Sequence, residues 1–189
     1  MFEILDEDCT PQRGTKYSAY VDLFARENVT IGAGATKIVP LGIKIDLEKL
    51  RKKVFKHLDA SVSYFPIKKQ DEIFDSWLKS HYLEVALRSS LGIKGLIIVN
   101  GIGVIDLDFA DEIGLIVHNP FTERTAREAA MKQINQANGG DLNKYIFNEG
   151  YFIKKGQKVA QCTLKEHKGY LMGYESDVVR DGGFGSTDI

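Results

Sequence analysis

The sequence predicts an all-β domain that carries two helical insertions and a glycine-rich C-terminal segment. Short stretches rich in β-branched and aromatic residues alternate with glycine-containing turns along most of the chain. Two regions instead show the apolar spacing of amphipathic helices. A length of 189 residues suits one domain. We therefore predict a single domain over 1–189, with insertions at about 46–82 and 120–150.

The strand-like segments define the β core. Each is bounded by glycine or by polar turn residues, as β-strands usually are. The predicted strand segments are 17–25, 36–45, the block 83–119, and 151–164, in which two strands meet at Gly156. The stretch 28–35 (NVTIGAGA) lies between the first two segments, and its glycines predict a turn.

Three stretches predict helices. Residues 46–59 and 70–80 repeat apolar side chains at helical spacing, and 122–138 places Thr125 and Glu128 at the spacing of a capping box. The two apolar stripes are Leu47, Leu50, Val54 and Leu58 in the first helix and Ile73, Phe74, Trp77 and Leu78 in the second. Such stripes usually pack on their own protein, but they could also bind a partner.

The charge balance excludes several classes of function. Lys and Arg number 25 against 26 Asp and Glu, which argues against a nucleic-acid groove or a polybasic membrane patch. Cys9 and Cys162 are too few for a disulfide framework, and their spacing fits no zinc site. The acidic start MFEILDEDC is unlike a signal peptide, and the apolar run 96–99 is too short to span a bilayer. We expect a soluble, cytoplasmic protein.

Residues 95–109 (GLIIVNGIGVIDLDF) contain a strand followed by Gly101 and Gly103. A dinucleotide-binding fold would need a third glycine, but Asp106 occupies that place and no helix pattern follows. A β-hairpin with glycines at its tip fits better, because it would expose backbone groups to a ligand. Asp106 and Asp108 would then share one face, either to hold a metal or activate water, or as a solvated edge.

Two further segments could contact phosphates or a nucleobase. The tripeptide 88–90 (RSS) combines a guanidinium fork with two hydroxyls, which suits a phosphate clamp but also occurs in ordinary polar turns. The segment 182–187 (GGFGST) would let the backbone wrap a ligand while Phe184 stacks on it. Taken alone, the same segment reads as a polar tail.

Taken together and in order, these segments resemble the five motifs of the trimeric dUTPase (dUTP nucleotidohydrolase) family. The five segments are SAYVDLFA (18–25), RSSLGIKG (88–95), NGIGVIDLDF (100–109), GQKVAQC (156–162) and RDGGFGST (180–187). The resemblance covers roughly half the chain. It implies a jelly-roll or β-clip barrel with a flexible lid at 180–189. It also implies dUTP diphosphatase activity, which yields dUMP for dTMP synthesis and keeps uracil out of DNA.

The resemblance assigns the reacting and base-reading positions to the third motif. Asp106 matches the general base, which activates the attacking water at the α-phosphate. Phe109 matches the aromatic that packs beneath the deoxyribose and leaves no room for a 2′-hydroxyl. Asn100 and the backbone of 103–105 (Gly103, Val104 and Ile105) match the groups that read uracil.

The resemblance assigns the phosphate and metal positions to the other motifs. Arg88, Ser89 and Ser90 match the phosphate clamp, Gln161 matches a contact near the α-phosphate, and Asp22 matches the residue that holds Mg²⁺ through water. In the lid, Phe184 matches the aromatic that stacks on uracil. The remaining lid positions that match substrate contacts are Arg180, Gly185, Ser186 and Thr187. The family forms homotrimers whose active sites are shared, with motifs one, two and four, the third motif, and the lid each coming from a different subunit.

The chain departs from the family pattern in several places, among them Phe109, where the family more often has Tyr, and longer spacers from Asp22 to Arg88 and from Asn119 to Phe152. The first motif usually has Gly where Tyr20 or Val21 stands, a Gly after Phe109 is replaced by Asp111, and the fifth motif is one residue shorter. A related enzyme, dCTP deaminase, has its catalytic glutamate near the position of Ile116, where this strand has no acid. A regulatory protein that binds a partner through its helical insertions is the other alternative.

Overall fold

The computed structural model describes residues 1–121 and 150–173, and these form an antiparallel β structure with helices inserted between two of its strands. The prediction of an all-β core is confirmed. The described strands are β1 (Phe2–Ile4), β2 (Gln12–Arg13), β3 (Val21–Phe24), β4 (Val29–Gly32), β5 (Thr36–Pro40), β6 (Ile43–Ile45), β7 (His81–Leu87), β8 (Ile97–Ile98), β9 (Gly103–Asp106), β10 (Gly114–His118), β11 (Gly150–Ile153) and β12 (Lys158–Glu166).

The largest sheet of the described residues has five strands in the order β2-β3-β12-β7-β9. Leu83 and Val85 of β7 and Cys162 of β12 are almost fully buried in the core. Because side chains alternate along a strand, Glu84 of β7 and Gln161 of β12 point to the opposite, polar face. This polar face is where the candidate site lies.

Two smaller sheets and a strand pair complete the β core. Strands β5, β10 and β8 form one sheet, β11 pairs with β4, and β1 pairs with β6. The turn predicted over 28–35 is wrong for its first half, because Val29–Gly32 forms β4, whose Val29 and Ile31 are buried. The β-branched residues of this stretch favour a strand, and the turn is confined to the glycine-containing residues that follow.

The prediction of a β-hairpin within 95–109 is also wrong, because its two strands do not pair with each other. Strand β8 pairs with β10 of the three-stranded sheet, whereas β9 pairs with β7 of the five-stranded sheet. The segment between them therefore crosses from one sheet to the other. Asp108 lies beyond the end of β9, so strand alternation does not place it beside Asp106.

The helices predicted at 46–59 and 70–80 are confirmed as α1 (Leu47–Leu58) and α2 (Ile67–Leu78), although α2 begins three residues earlier and ends two residues earlier than predicted. Asp46 caps α1 by accepting a hydrogen bond from the amide of Lys49 at 2.8 Å. Each apolar stripe is only partly buried. Leu50, Val54 and Phe74 join the main core, whereas Leu47 and Leu58 are 39% and 47% exposed. The helices therefore cover part of the β core with the middle of each stripe.

A short helix, α3 (Ser89–Gly92), follows β7. The third predicted helix at 122–138, most of the insertion at 120–150, and the lid at 180–189 lie outside the described residues. In the described ranges, no helix is both long and apolar enough to cross a membrane.

Candidate active site

A cleft with a volume of about 430 Å³ opens on the polar face of the five-stranded sheet. Residues of β3 and β12, with Arg88 just after the end of β7, form its floor, and the loop 14–20 between β2 and β3 forms its wall. Its lining residues are Gly14, Thr15, Ser18, Ala19, Tyr20, Asp22, Arg88, Lys158 and Gln161. Three residues predicted from three separate motifs, Asp22, Arg88 and Gln161, thus meet in one place.

Asp22 lies at the centre of the cleft floor and is only 8% exposed. Its Oδ1 lies 3.2 Å from Nε of Arg88, and its Oδ2 lies 2.9 Å from Nζ of Lys158. Strand pairing explains this convergence, because Gln161 of β12 lies opposite both Asp22 and Ala86. One carboxylate between two cations leaves a net positive charge, so the cleft attracts anions.

Lys158 is a site residue that the sequence reasoning missed. Simple alternation puts it on the opposite face of β12 from Gln161, three residues along. However, the pairing of β12 with β3 shifts register between Lys158 and Ala160. A bulge of this kind redirects a side chain. As a result, the Lys158 ammonium reaches Asp22 and lies 5.6 Å from the ring centre of Phe24.

The wall loop lies directly over Asp22. A Cβ atom built on Gly14 would lie 3.8 Å from Oδ2 of Asp22 and 3.5 Å from Oγ of Ser18. The amide of Thr15 donates to Oγ of Ser18 at 2.9 Å, and the Arg13 guanidinium donates to the Ser18 carbonyl. These bonds keep hydroxyl groups at the edge of the cleft, where they could contact a bound phosphate.

Tyr20 connects the wall loop to the sheet. Its hydroxyl donates to Oε1 of Glu84, while the hydroxyl of Tyr82 donates to Oε2 at 3.0 Å. Glu84 is 9% exposed. The hydrogen bond from Tyr20 is the main cause that lowers the pKa of Glu84, and the same carboxylate raises the pKa of both tyrosines. Sequence reasoning missed Glu84, because no motif contains it.

Ser89 and Ser90 directly follow Arg88 but do not line the cleft. Both lie in α3, and both are exposed. Their contact with a phosphate stays a prediction. Cys162, in the fourth motif, is buried on the core side, and burial raises its pKa to about 12. It therefore remains a thiol and is unsuited to act as a nucleophile.

The residues of the third motif lie far from the cleft within one chain. Asp106 is exposed and pairs with Tyr82, four residues before the Ala86 that lies opposite Gln161. Asp22 and Asp106 are also three strands apart in the sheet order. Standard strand dimensions then separate them by roughly 15–20 Å.

The residues predicted to read the base belong to the same third motif. Asn100 and Val104 are exposed, while Gly103 is buried against Val85, whose carbonyl oxygen would lie 3.2 Å from a Cβ atom at that position. A side chain there would press on the β7 backbone, which explains the glycine. Phe109 is 5% exposed and belongs to the core. Its contact with a sugar stays a prediction, as do the lid contacts of Arg180, Phe184, Gly185, Ser186 and Thr187, which lie outside the described residues.

Comparison with known proteins supports the dUTPase family. No family model matches the chain. A curated deoxyuridine 5′-triphosphate nucleotidohydrolase from Rickettsia massiliae is 25% identical over 186 residues, which cover 95% of this chain and 88% of the relative. The Rickettsia prowazekii protein of the same name is 24% identical with the same coverage.

Solved structures share the fold. The crystal structure of a dUTPase from Streptococcus mutans matches with a TM-score of 0.54 and 20% identity, over 88% of this chain and 95% of that one. A dUTPase from phage phi11 of S. aureus, described with a structural Mg(II) ion, matches with a TM-score of 0.53 and 16% identity over 97% of both chains. These matches confirm the fold that the five motifs imply.

Proposed function

We propose that this chain, whose sequence relatives and fold both support the dUTPase family, hydrolyses dUTP to dUMP and pyrophosphate. The observation that carries the proposal is the convergence of Asp22, Arg88 and Gln161 in one cationic cleft, with Lys158 beside them. These residues come from three motifs that lie far apart in sequence. Curated relatives named for this activity match nearly the whole chain.

The cleft suits the phosphate chain of a nucleotide. Arg88 offers a planar fork of donors, Lys158 adds a second cation, and Gln161 adds an amide on the same floor. A phosphate that enters would compete with Asp22 for both cations. Binding would therefore exchange ion pairs within the cleft, which limits the cost of removing charges from water.

Magnesium fits this site as an ion held mainly by the substrate. In the part of the chain that the structure describes, no group of three or more acidic, His or Cys side chains could cage a metal. Asp22 is a single carboxylate beside two cations, which suits a contact to metal-bound water rather than direct ligation. When bound with the triphosphate, Mg²⁺ neutralises phosphate charge. Asp22 then orients the water that it accepts a hydrogen bond from.

We propose Asp106 as the general base in a site shared between subunits of a homotrimer. The separation of roughly 15–20 Å between Asp106 and Asp22 in one chain, on standard strand spacings, supports this assembly. An intact site needs the base near the phosphates. We therefore propose that the Asp106 of one subunit acts at the phosphate cleft of another. Asp106 would take the proton from water as the water attacks the α-phosphate.

We propose that the third motif also selects the base and the sugar. The backbone of Gly103, Val104 and Ile105, with Asn100, would pair with uracil and reject cytosine, whose donors and acceptors are reversed. Phe109 would exclude a 2′-hydroxyl by its bulk. The lid residues would close over the bound nucleotide, with Phe184 against the base.

A substrate panel tests the proposed function directly. Release of pyrophosphate from dUTP, dCTP, dTTP and UTP is measured with Mg²⁺ and with the metal chelated. We expect turnover of dUTP alone, and loss of turnover on chelation. Absence of dUTP turnover by a folded protein would contradict the proposal, and ammonia release from dCTP would instead indicate a deaminase. Strand β10 (Gly114–His118) carries no acid that could serve a deaminase.

A regulatory partner at the helical insertion stays a second candidate. At the connection between α1 and α2, Tyr64 is 88%, Phe65 44% and Ile67 76% exposed. Exposed apolar side chains of this kind favour a protein contact. Replacement of the exposed Tyr64 and Ile67 by Ser, followed by a partner pull-down and a dUTPase assay, separates this role from catalysis without removing the core residues of the two helices. A cytoplasmic location stays a prediction.

A further inference from the structure

The wall of the cleft depends on one long-range hydrogen bond. Loop 14–20 makes hydrogen bonds within itself and with Arg13 of the edge strand β2, so these local bonds attach the loop only to the strand that precedes it. The hydroxyl of Tyr20 instead reaches Glu84, 64 residues further along the chain, in the middle of β7. Among the described hydrogen bonds of this loop, this one spans the gap between wall and floor.

Glu84 is built to hold that hydroxyl in one orientation. Its Oε1 accepts from Tyr20 and lies 3.8 Å from Nζ of Lys165, while its Oε2 accepts from Tyr82 at 3.0 Å. The residue is 9% exposed. Because both oxygens have partners and burial restricts its rotamers, the carboxylate presents a fixed acceptor to Tyr20.

A movement of Tyr20 would also disturb the phosphate cleft. Tyr20 is one of the residues that line the cleft, and it stands two residues before Asp22, whose carboxylate pairs with Arg88 and Lys158. If Tyr20 were released, the wall loop would lose its fixed position relative to these cations. Ligand binding would then have to order the loop, which lowers affinity.

We propose that Tyr20 and Glu84 form a positioning pair that holds loop 14–20 closed over the cleft and thereby sets its affinity for the phosphate chain of the nucleotide. The inference rests on the proposed function. The pair gives a role to Tyr20, which stands where the first motif usually has a small residue: its hydroxyl donates to Glu84 on the sheet.

The test compares four variants, each of which alters a hydrogen bond made by the Glu84 carboxylate. Tyr20→Phe and Glu84→Gln break or weaken the pair, and the double variant removes it. Tyr82→Phe is the matched control, because it deletes a hydroxyl bound to the other oxygen of Glu84 and does not line the cleft. Binding of a non-hydrolysable imido analogue of dUTP with Mg²⁺ is measured by calorimetry, together with the melting temperature, KM and kcat.

We expect Tyr20→Phe and Glu84→Gln to raise the Kd of the analogue and the KM roughly 3- to 10-fold, the loss of about one hydrogen bond, with kcat changed less than twofold. The double variant should be at most twofold weaker than the worse single variant, since both act on one contact. Tyr82→Phe should lower the melting temperature as much as Tyr20→Phe but leave the Kd unchanged.

Two results overturn the proposal while leaving the proposed function intact. One is a Tyr20→Phe variant that binds the analogue as tightly as the wild type. The other is a Tyr82→Phe variant that loses as much affinity as Tyr20→Phe, because the effect would then be a general loss of structure around Glu84. A folded wild-type protein that neither binds the analogue nor hydrolyses dUTP overturns the proposed function, and the positioning pair with it.

Discussion

At the scale of single residues, the electrostatics of the cleft depend on how two cations share one carboxylate. Asp22 contacts Arg88 and Lys158 through different oxygens, so each cation can leave without displacing the other. Partial burial of the carboxylate strengthens both contacts relative to surface ion pairs. The positive charge that remains is therefore concentrated where the phosphates are expected.

Replacement of Lys158 should weaken substrate binding. Lys158→Met keeps most of the side-chain bulk but removes one positive charge, so that the remaining ion pair of Asp22 and Arg88 has no net charge. We therefore expect the KM for dUTP to rise roughly tenfold. Lys154→Met is the matched control, because it makes the same change of charge at an exposed position outside the cleft. Equal KM values for the two variants would contradict a phosphate role for Lys158.

Replacement of the proposed base should affect turnover rather than binding. Asp106→Asn keeps the shape of the side chain but cannot take a proton, so kcat should fall about 100-fold or more. Asp108→Asn, two residues along in an exposed turn, should keep nearly full activity. The Kd of the imido analogue should change little in either variant. If Asp106→Asn kept more than a tenth of the wild-type kcat, another group would have to be the base.

At the scale of elements, the inserted helices pack on the β core through the middle of their apolar stripes. Leu47 and Leu50 lie on the same face of α1, but they are 39% and 1% exposed. Leu50→Ala should lower the free energy of unfolding by about 2–5 kcal/mol through loss of packing and a residual cavity. Leu47→Ala should cost about 0.5 kcal/mol or less.

Denaturant unfolding of both alanine variants checks this prediction. Similar stabilities for the two variants would mean that α1 does not pack on the core in solution. In that case its apolar stripe would be available to a partner. Kinetic constants for dUTP should be nearly unchanged in both, since neither residue lines the cleft.

Most elements could be predicted from the sequence, because periodicity and glycine placement are local signals. The bounds of α1 and β10 follow closely from such patterns. The strand predicted over 17–25 is wrong for its first four residues, because β3 is only Val21–Phe24, and β12 continues two residues beyond the predicted end at 164. Strand β4 was missed because its β-branched residues stand beside three small turn residues. The partners of β8 and β9 could not be predicted, since strand pairing depends on the whole chain rather than on the segment between them.

The site was predictable in part for the same reason. Asp22, Arg88 and Gln161 stand in recognisable motifs, and the structure brings them together. Lys158 reaches the cleft only through an irregular register in β12, which no alternation pattern reveals. Glu84 was missed because its role comes from contact with Tyr20 across the fold, and a lone acidic residue in a strand carries no signal.

At the scale of the whole molecule, the separation of Asp106 from the cleft predicts that activity requires several copies of the chain. Two inactive variants provide a test: Asp106→Asn and a truncation that ends at Val179. The two are denatured, mixed in equal amounts and refolded. If each site takes its third motif and its lid from different subunits, about one site in four receives both intact parts in a symmetric trimer.

The mixture should therefore recover about a quarter of wild-type activity by the same counting. Each variant refolded alone is the control and should stay inactive. Native mass spectrometry establishes whether mixed trimers form. Mixed trimers without activity would show that the third motif and the lid act from one chain, and the shared site would be wrong.

The strand order of the five-stranded sheet also bears on how the protein folds during synthesis. Lys158 and Asp22 are in contact across 136 residues of chain, because β12 pairs with β3 and lies between β3 and β7 in the sheet order of the described residues. Closing so long a loop is entropically costly and slows folding. During synthesis, the edges of β3 and β7 that pair with β12 stay unpaired until β12 has been made. This waiting period is the stage at which a nascent chain of this topology is most open to aggregation, and at which a chaperone would help it most.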